Sequence, residues 1–314
     1  MVVAAILLKV VTIIVTLVTG IGLVISAEKL SMWLTRWCRT MGWDKFGATA
    51  VLMAAATSLP ELAVTVVSSV EGKGEIGLGN ALGSNLVNLA LVLGLTGVAA
   101  KTVKFEGGWK DREIIPIWLT LIPYALVLGD GRIGRAEGVI LVAVFILFVM
   151  RMTKQKINNY EHHQHHPFRI LGHLGLWTVG LVGASMALIN SASQLAAGLG
   201  VPPIIVGLFV VAIGTSMPEL VFNMAAVRKG RREMAMGNIV GSCVFNSTLV
   251  VGLAAIINPI VLSSKSVMWG PTVQYALILA VLMAFIRSKN KLERWESATL
   301  VGLFVYYLLI ETLI

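Results

Sequence analysis

Two carboxylates stand inside long apolar stretches of the chain. Glu61 ends the string TSLPE and Glu219 ends the string TSMPE, each in mostly apolar surroundings. A charged side chain at the centre of a bilayer costs about 2.5–3.5 kcal/mol on insertion scales. A bound cation would compensate both charges. The alternatives are a protonated pair, or a carboxylate that snorkels to an interface.

Hydroxyl groups accompany each carboxylate. A threonine stands four residues before each glutamate, so the two side chains share a helix face. A serine follows the threonine, about 100° further around the helix. A hydroxyl within a span often bonds only its own backbone, but beside a glutamate we interpret these groups as cation ligands. They are Thr57, Ser58, Thr215 and Ser216.

A proline precedes each glutamate directly. Pro60 and Pro218 lack a backbone N–H, and their rings clash with the carbonyl four residues earlier. The freed carbonyls would be those of Ala56 and Gly214. Membrane helices tolerate a freed carbonyl where it lines a cavity or finds a partner. The prolines therefore predict interrupted helices at a binding site, with simple kinks as the alternative.

A second pair of segments carries a polar stripe. In GNALGSNLVN (79–88) and GNIVGSCVFN (237–246), Asn, Ser and Asn recur at every fourth residue. The glycines at 79, 83, 237 and 241 would allow close helix approach. The stripe predicts either interhelical hydrogen bonds or further ligands. The candidate ligands are Ser84, Asn88, Ser242 and Asn246, whereas Asn80 and Asn238 remain undecided between the two roles.

All the candidate ligands are oxygen atoms. Carboxylate, hydroxyl, amide and carbonyl oxygens suit calcium, sodium and magnesium, not zinc or copper. Magnesium demands a small octahedral cage and keeps its waters, so a flexible site of this kind favours calcium. Sodium resembles calcium in radius, and one cavity can serve both ions in turn.

The chain contains an internal repeat. Residues 57–95 match residues 215–253 at a constant offset of 158, with sixteen of thirty-nine positions identical. This repeat predicts two halves of five spans each, at 1–152 and 168–314, with a His-rich cytoplasmic linker at 153–167. Because five is odd, the second half would enter the membrane from the opposite side. Inverted repeats are a plan of secondary transporters, with the site where the repeats meet.

The composition predicts a protein that crosses a bilayer many times. Hydrophobic residues make up 57% of the chain and charged residues 13%, and the mean hydropathy is +0.85, whereas soluble domains have about 25% charged residues. Ten runs approach the ~20 residues that a membrane helix needs. They are residues 5–27, 46–69, 76–99, 114–129, 134–151, 169–193, 203–227, 234–258, 271–286 and 297–313.

The basic residues indicate the topology. Twenty Lys and Arg residues fall in the connections on one side of the predicted spans and four on the other. Since Lys and Arg concentrate on the cytoplasmic side, we expect a cell-membrane protein with both termini extracellular. Because the basic residues are concentrated on one side, the net charge of +9 is a topology signal, and we expect no nucleic-acid partner. We expect the lipid bilayer and the transported ions as partners, and a functional monomer.

The strings ATSLPEL, GTSMPEL and the two GN…N segments resemble the calcium/cation antiporter superfamily, in its prokaryotic sodium/calcium exchanger branch. The resemblance implies an all-α fold of ten transmembrane helices in an inverted five-plus-five repeat. Spans two, three, seven and eight would form the ion-binding core, and spans one and six a sliding gate bundle. The family's ligands match Thr57, Ser58, Glu61, Ser84, Asn88, Thr215, Ser216, Glu219 and Ser242, with backbone carbonyls at Ala54 and Ala212.

The sequence departs from the family pattern at two places. Ala56 stands where the motif usually has glycine, and Asn246 stands where several prokaryotic relatives have aspartate. The core would then hold two carboxylates rather than three. Two carboxylates neutralise one calcium ion, two sodium ions or two protons, so the identity and number of the driving ions stay open.

The predicted function is secondary active antiport of Ca²⁺ against Na⁺ by alternating access, without a cofactor. An H⁺/Ca²⁺ antiporter is the alternative, because two close carboxylates favour taking up protons. A cation channel is a rival from another class, and an enzyme is not expected. The HHQHH segment at 162–166 is interpreted as a solvated linker, with pH sensing or metal binding as the alternative. Cys38 and Cys243 are interpreted as small apolar residues.

Overall fold

The structure is a computed structural model that describes residues 2–40, 54–104, 116–153, 167–289 and 291–313. Helices dominate these residues. The predicted HHQHH linker and the beginning of the second predicted span, at 46–53, lie outside them. In chain order the helices are α1 (Val2–Thr40), α2 (Leu59–Val70), α3 (Gly74–Leu86), α4 (Leu93–Ala100), α5 (Ile122–Asp130), α6 (Arg135–Thr153), α7 (Pro167–Leu199), α8 (Pro203–Val206), α9 (Ala212–Thr215), α10 (Met217–Arg228), α11 (Arg232–Phe245), α12 (Val251–Ile257), α13 (Trp269–Lys289) and α14 (Arg294–Leu313).

Several of these helices are continuous with one another through wider π-type turns. Such turns join α3 to α4, α8 to α9 and α11 to α12. Turns of this kind are rare in proteins as a whole, and those that occur are often found at functional sites. They span Val87–Val92, Gly207–Val211 and Asn246–Val250.

Six stretches are long and apolar enough to cross a membrane, counted over the described ranges alone. Two shorter apolar helices accompany them, at Leu59–Val70 and Pro116–Asp130. The six long stretches are Val10–Trp33, Gly74–Ala100, Phe168–Leu199, Pro203–Arg228, Met234–Ile257 and Lys265–Arg287.

The two proline-containing helices are interrupted, as the sequence predicts. Helix geometry breaks at Ser58 and at Ser216, where the backbone has φ −88°, ψ 14° and φ −84°, ψ 6°. Pro60 and Pro218 lie in the first turn of α2 and α10. The first turn of a helix does not need the missing N–H, so each proline begins a new helix segment next to its glutamate.

Close backbone contact holds the centre together. A side chain at Gly83 would place its Cβ 2.6 Å from Leu208 Cα and 2.8 Å from Ala212 Cβ. A Cβ at Gly241 would lie 2.8 Å from Ala54 Cβ. The predicted close helix approach is confirmed at Gly83 and Gly241 but is wrong at Gly237, where an added Cβ would meet no described atom within 4 Å. Because no side chain intervenes, the segments that carry the candidate ligands are held at a fixed distance.

Two apolar clusters surround this centre. The larger one contains α3, α4, α11 and α12 together with α13 and α14, and Cys243 is buried within it as a small residue. The smaller cluster joins α1 and α7 to α2 and to the beginning of α3. Helices α1 and α7 also have wide exposed apolar faces, including Leu17 at 60% and Val179 at 73% exposure. In a membrane protein these faces are suited to contact with lipid.

Two short antiparallel ribbons tie the helix connections together. Strand β1 (Thr102–Lys104) pairs with β4 (Lys291–Glu293), and β2 (Arg132–Ile133) pairs with β3 (Ile260–Val261). Each ribbon joins connections that the basic-residue count assigns to one and the same side of the membrane. The ribbons thus fix helix ends that are far apart in sequence.

Candidate functional site

Within the described ranges, hydrogen bonds connect ten of the twelve predicted ligands at the centre of the fold, and Asn88 and Asn246 are the two that make no such bond. The twelve ligands come from the ends of the interrupted helices, from α2 and α10, and from α3 and α11. All twelve are buried, and none exceeds 7% exposure. They are Ala54, Thr57, Ser58, Glu61, Ser84, Asn88, Ala212, Thr215, Ser216, Glu219, Ser242 and Asn246.

Each carboxylate is bonded by a serine from the other copy of the repeat. Ser58 Oγ donates to Glu219 Oε1 at 2.9 Å, and Ser216 Oγ donates to Glu61 Oε1 at 3.2 Å. The breaks at the two serines turn their hydroxyls away from their own helices and across to the facing one. The two bonds correspond to each other at the offset of 158.

The second oxygen of each carboxylate is available. Glu61 Oε2 and Glu219 Oε2 are buried, and neither has a hydrogen-bond partner in the described part of the chain. A buried unpaired carboxylate oxygen is costly. The site therefore holds two anionic oxygens that only a cation, a proton or water can satisfy.

The threonines link the two copies in the same reciprocal way. Thr215 Oγ1 lies 2.9 Å from Asn80 Oδ1 and 3.2 Å from Ser84 Oγ. Thr57 Oγ1 lies 3.3 Å from Asn238 Oδ1 and 3.5 Å from Ser242 Oγ. Each threonine therefore contacts the polar stripe of the opposite copy, through the first asparagine and the serine of that stripe.

Two backbone carbonyls complete this layer. Ala54 O accepts from Ser58 N at 3.0 Å and lies 3.1 Å from Thr57 Oγ1. Ala212 O accepts from Ser216 N at 3.0 Å and lies 3.2 Å from Thr215 Oγ1. Both carbonyls point to the level where the helices break. An ion that binds here would compete with the threonine hydroxyls for them.

Asn88 and Asn246 lie in the π-type turns. Both side chains are fully buried, and neither amide atom of either residue has a described partner. A π-type turn departs from the strict four-residue stripe that the sequence predicts. The two asparagines therefore differ from Asn80 and Asn238, whose amide oxygens accept bonds from the threonines.

The cluster is a set of hard oxygen donors. It combines two carboxylates, hydroxyls, amide oxygens and backbone carbonyls, which are the ligands that Ca²⁺ and Na⁺ prefer. Within the described ranges, no group of three or more His, Cys, Asp or Glu side chains converges. The arrangement can bind a desolvated cation and neutralise its charge with two carboxylates.

Besides the π-type turns at Asn88 and Asn246, two features of the site were not predicted from the sequence. The first is the bonding of each carboxylate by the serine of the other copy. The second is Asn223, which is 0% exposed and has no described partner for either amide atom. The sequence did contain a signal for it, since Asn223 follows Glu219 by one helical turn.

Comparisons with known proteins identify the family of the chain. A family model described as "Sodium/calcium exchanger protein" matches residues 11–154 and 170–313. The chain is 30% identical to the inner membrane protein YrbG of Escherichia coli over 77% of this chain and 79% of YrbG. It is 24% identical to the sodium/calcium exchanger MaX1 of Methanosarcina acetivorans, over 87% of this chain and 90% of MaX1.

Two kinds of solved structure share the fold. The sodium-calcium exchanger NCX_Mj, soaked with Na⁺ and Sr²⁺, superimposes with a TM-score of 0.66 at 20% identity, over 96% of this chain and 98% of that one. The H⁺/Ca²⁺ exchanger CAX superimposes with a TM-score of 0.76 at 18% identity, over 95% of this chain and 82% of that one. At these identities the likeness concerns the fold.

Proposed function

Because the chain belongs to the sodium/calcium exchanger protein family, we propose that it exchanges Ca²⁺ for Na⁺ across a membrane by alternating access. It is a multi-pass membrane protein of a transporter family. The observation that carries the proposal is the reciprocal pair of buried carboxylates, each bonded at one oxygen by the serine of the opposite copy and unpartnered at the other.

The transported cation binds between the two carboxylates. A calcium ion would engage the Oε2 atoms of Glu61 and Glu219, with the hydroxyl and amide groups around them as neutral ligands. Sodium ions would occupy the flanking hydroxyl and carbonyl positions, near the Ala54 and Ala212 oxygens, and displace it. The proposed ligands are the twelve residues predicted from the sequence.

The proposed architecture is ten transmembrane helices in an inverted five-plus-five repeat, with halves at 1–152 and 168–314. The reciprocal contacts at a constant offset of 158 support it, because two copies related by a twofold axis meet in such pairs. The strand pairings support the alternation of sides. The basic-residue distribution supports extracellular termini, and we propose that the monomer is functional.

The moving part is the pair α1 and α7. These helices pack against each other and contact the core through the smaller apolar cluster, with residues such as Leu23, Val64 and Ile189. Apolar side chains make non-directional contacts, so the pair can slide without breaking buried hydrogen bonds. An empty site, with two unpaired carboxylates, resists this motion, whereas a loaded and neutralised site permits it.

The deciding experiment is ⁴⁵Ca²⁺ uptake into proteoliposomes with either an outward sodium gradient or an outward proton gradient. We expect uptake with sodium and none with protons alone. Glu61→Gln and Glu219→Gln should each abolish exchange, because each removes one of the two buried negative charges. Tyr306→Phe, at an exposed position of α14, is the control. Calcium exchange that survives in both glutamine variants would contradict the assignment of the site.

An H⁺/Ca²⁺ antiporter is the second candidate. The buried carboxylates, with their unpartnered oxygens, could each accept a proton in place of a sodium ion. Uptake driven by protons alone would establish this function and make Glu61 and Glu219 the proton carriers. The two gradients therefore separate the candidates in one assay.

A further inference from the structure

Asn223 is a buried polar residue that is not one of the twelve proposed ion ligands. It lies on α10 four residues after Glu219, on the same helix face and about 6 Å further along the axis. Its side chain is 0% exposed, and neither amide atom has a described partner. Leaving a buried amide unpaired is unfavourable, so the position indicates a ligand or water that is bound there.

The matched position in the first copy is fully bonded. At the offset of 158 Asn223 corresponds to Thr65, whose hydroxyl donates to Gly77 O at 3.0 Å and accepts from Asn80 Nδ2 at 3.1 Å. Below it, Ser68 Oγ donates to Thr65 O at 2.9 Å. Protein groups alone therefore close this layer between α2 and α3.

The second copy lacks this closure. Ala235 and Ala226 replace Gly77 and Ser68. Asn238, the counterpart of Asn80, accepts from Thr57 but has no described partner for its Nδ2 atom. Asn80, by contrast, uses Nδ2 twice, toward Glu61 O and Thr65 Oγ1. The α10–α11 layer thus carries three unpaired buried amide atoms where the α2–α3 layer has bonded ones.

We propose that Asn223 and Asn238 form a staging site for the transported cation in partly hydrated form. The site lies between Glu219 and the end of α10 at Arg228. Asn223 Oδ1 is a neutral hard ligand for Ca²⁺ or Na⁺, and the two Nδ2 groups donate to the waters that accompany the ion. A neutral site binds weakly enough to release the ion, as passage requires. This inference rests on the proposed function.

The asymmetry between the copies makes a directional prediction. The staging site serves only the side of the membrane that the α10–α11 connection faces. Its loss should therefore weaken Ca²⁺ uptake from that side and leave the other side unchanged. Asn223→Ala removes both amide atoms, and Asn223→Thr installs the residue that closes the first copy. Thr65→Val is the matched control, because it removes the corresponding group from the closed layer.

The test compares right-side-out with inside-out membrane vesicles from cells that express each full-length variant, with empty-vector vesicles as background. For both Asn223 variants we expect the half-saturating Ca²⁺ concentration to rise about three- to tenfold on one face. This is the change expected from the loss of one or two net hydrogen bonds to the hydrated ion. The Thr65→Val variant should keep the native ratio between the two faces. Equilibrium binding of ⁴⁵Ca²⁺ to the purified proteins is measured in parallel.

Three outcomes would overturn the inference. An equal change on both faces, or none, would mean that Asn223 holds a structural water only. Changes of opposite sign on the two faces would mean that the substitution shifts the inward–outward equilibrium. A native chain that binds Ca²⁺ but shows no exchange would contradict the proposed function, and with it the staging site. In the first two outcomes the native chain still exchanges normally, so they would overturn the staging site alone.

Discussion

The substitution Gly83→Ala should separate the two copies of the site. The added Cβ would lie 2.6 Å from Leu208 Cα and 2.8 Å from Ala212 Cβ, and would also overlap Leu208 O. Carbon atoms pack at about 3.5–4.0 Å, so the helices must move apart by roughly 1 Å. No rotamer change can relieve the overlap, because all three contacts are to backbone or Cβ atoms.

The expected cost follows from overpacking a close helix contact, at about 1–3 kcal/mol. The displaced residue Ala212 supplies the carbonyl beside Thr215, and Ser84 follows Gly83 directly. If the whole cost appeared in ion binding, Ca²⁺ affinity would fall about five- to 150-fold. We expect part of it as lower thermal stability and the rest as weaker binding.

The measurements are thermal unfolding of the detergent-purified protein, with and without Ca²⁺, and the half-saturating Ca²⁺ concentration for exchange. Gly302→Ala is the matched control, because Gly302 is exposed on α14 and a Cβ there meets no described atom within 4 Å. The control should behave like the native chain. If the Gly83→Ala variant had the same thermal stability and the same half-saturating Ca²⁺ concentration as the native chain, the close contact could not be what positions Ala212 and Thr215.

Three further predictions concern the polar groups of the core. Ser58→Ala and Ser216→Ala each remove a bond to a buried carboxylate worth about 1.5–3 kcal/mol; both should raise the half-saturating Ca²⁺ concentration at least tenfold, and native affinity in either would refute the reciprocal arrangement. Asn246→Asp adds a third negative charge to the proposed ligand set and should make the sodium dependence of exchange steeper; an unchanged dependence would place Asn246 outside the ion path. Tyr124→Phe removes a donor to Leu82 O at 2.8 Å and should destabilise the fold by about 0.5–1.5 kcal/mol in thermal unfolding, unlike Tyr306→Phe at an exposed site.

Sequence spacing predicts which side chains share one helix face. Thr57 and Glu61, or Asn80 and Ser84, face the same way because four residues make about one helical turn. The prolines located the helix breaks to within two residues. The constant offset of 158 assigns each residue of one copy to its counterpart in the other.

Contacts between side chains of different helices could not be predicted from the sequence pattern. The bond from Ser58 to Glu219 depends on the register of two helices from different copies, and spacing within one helix carries no information about that register. The π-type turns at Asn88 and Asn246 were missed for a related reason, since an extra residue in a turn is stabilised by its tertiary surroundings. Asn223 could have been predicted from the sequence, because asparagine stands there where the matched position of the first copy has Thr65.

The reciprocal serine–carboxylate bonds also constrain how such a protein could have arisen. In each half the shortest hydroxyl bond to the glutamate comes from the other half, although Ser242 also lies 3.5 Å from Glu219 Oε1 within the second half. A half-length ancestor of this design would have needed two molecules per site. With the proposed five spans in each half, the two molecules would have had to insert in opposite orientations. Joining the halves in one chain would remove that requirement for dual insertion and would allow each copy to differ from the other, as Thr65 and its counterpart Asn223 do.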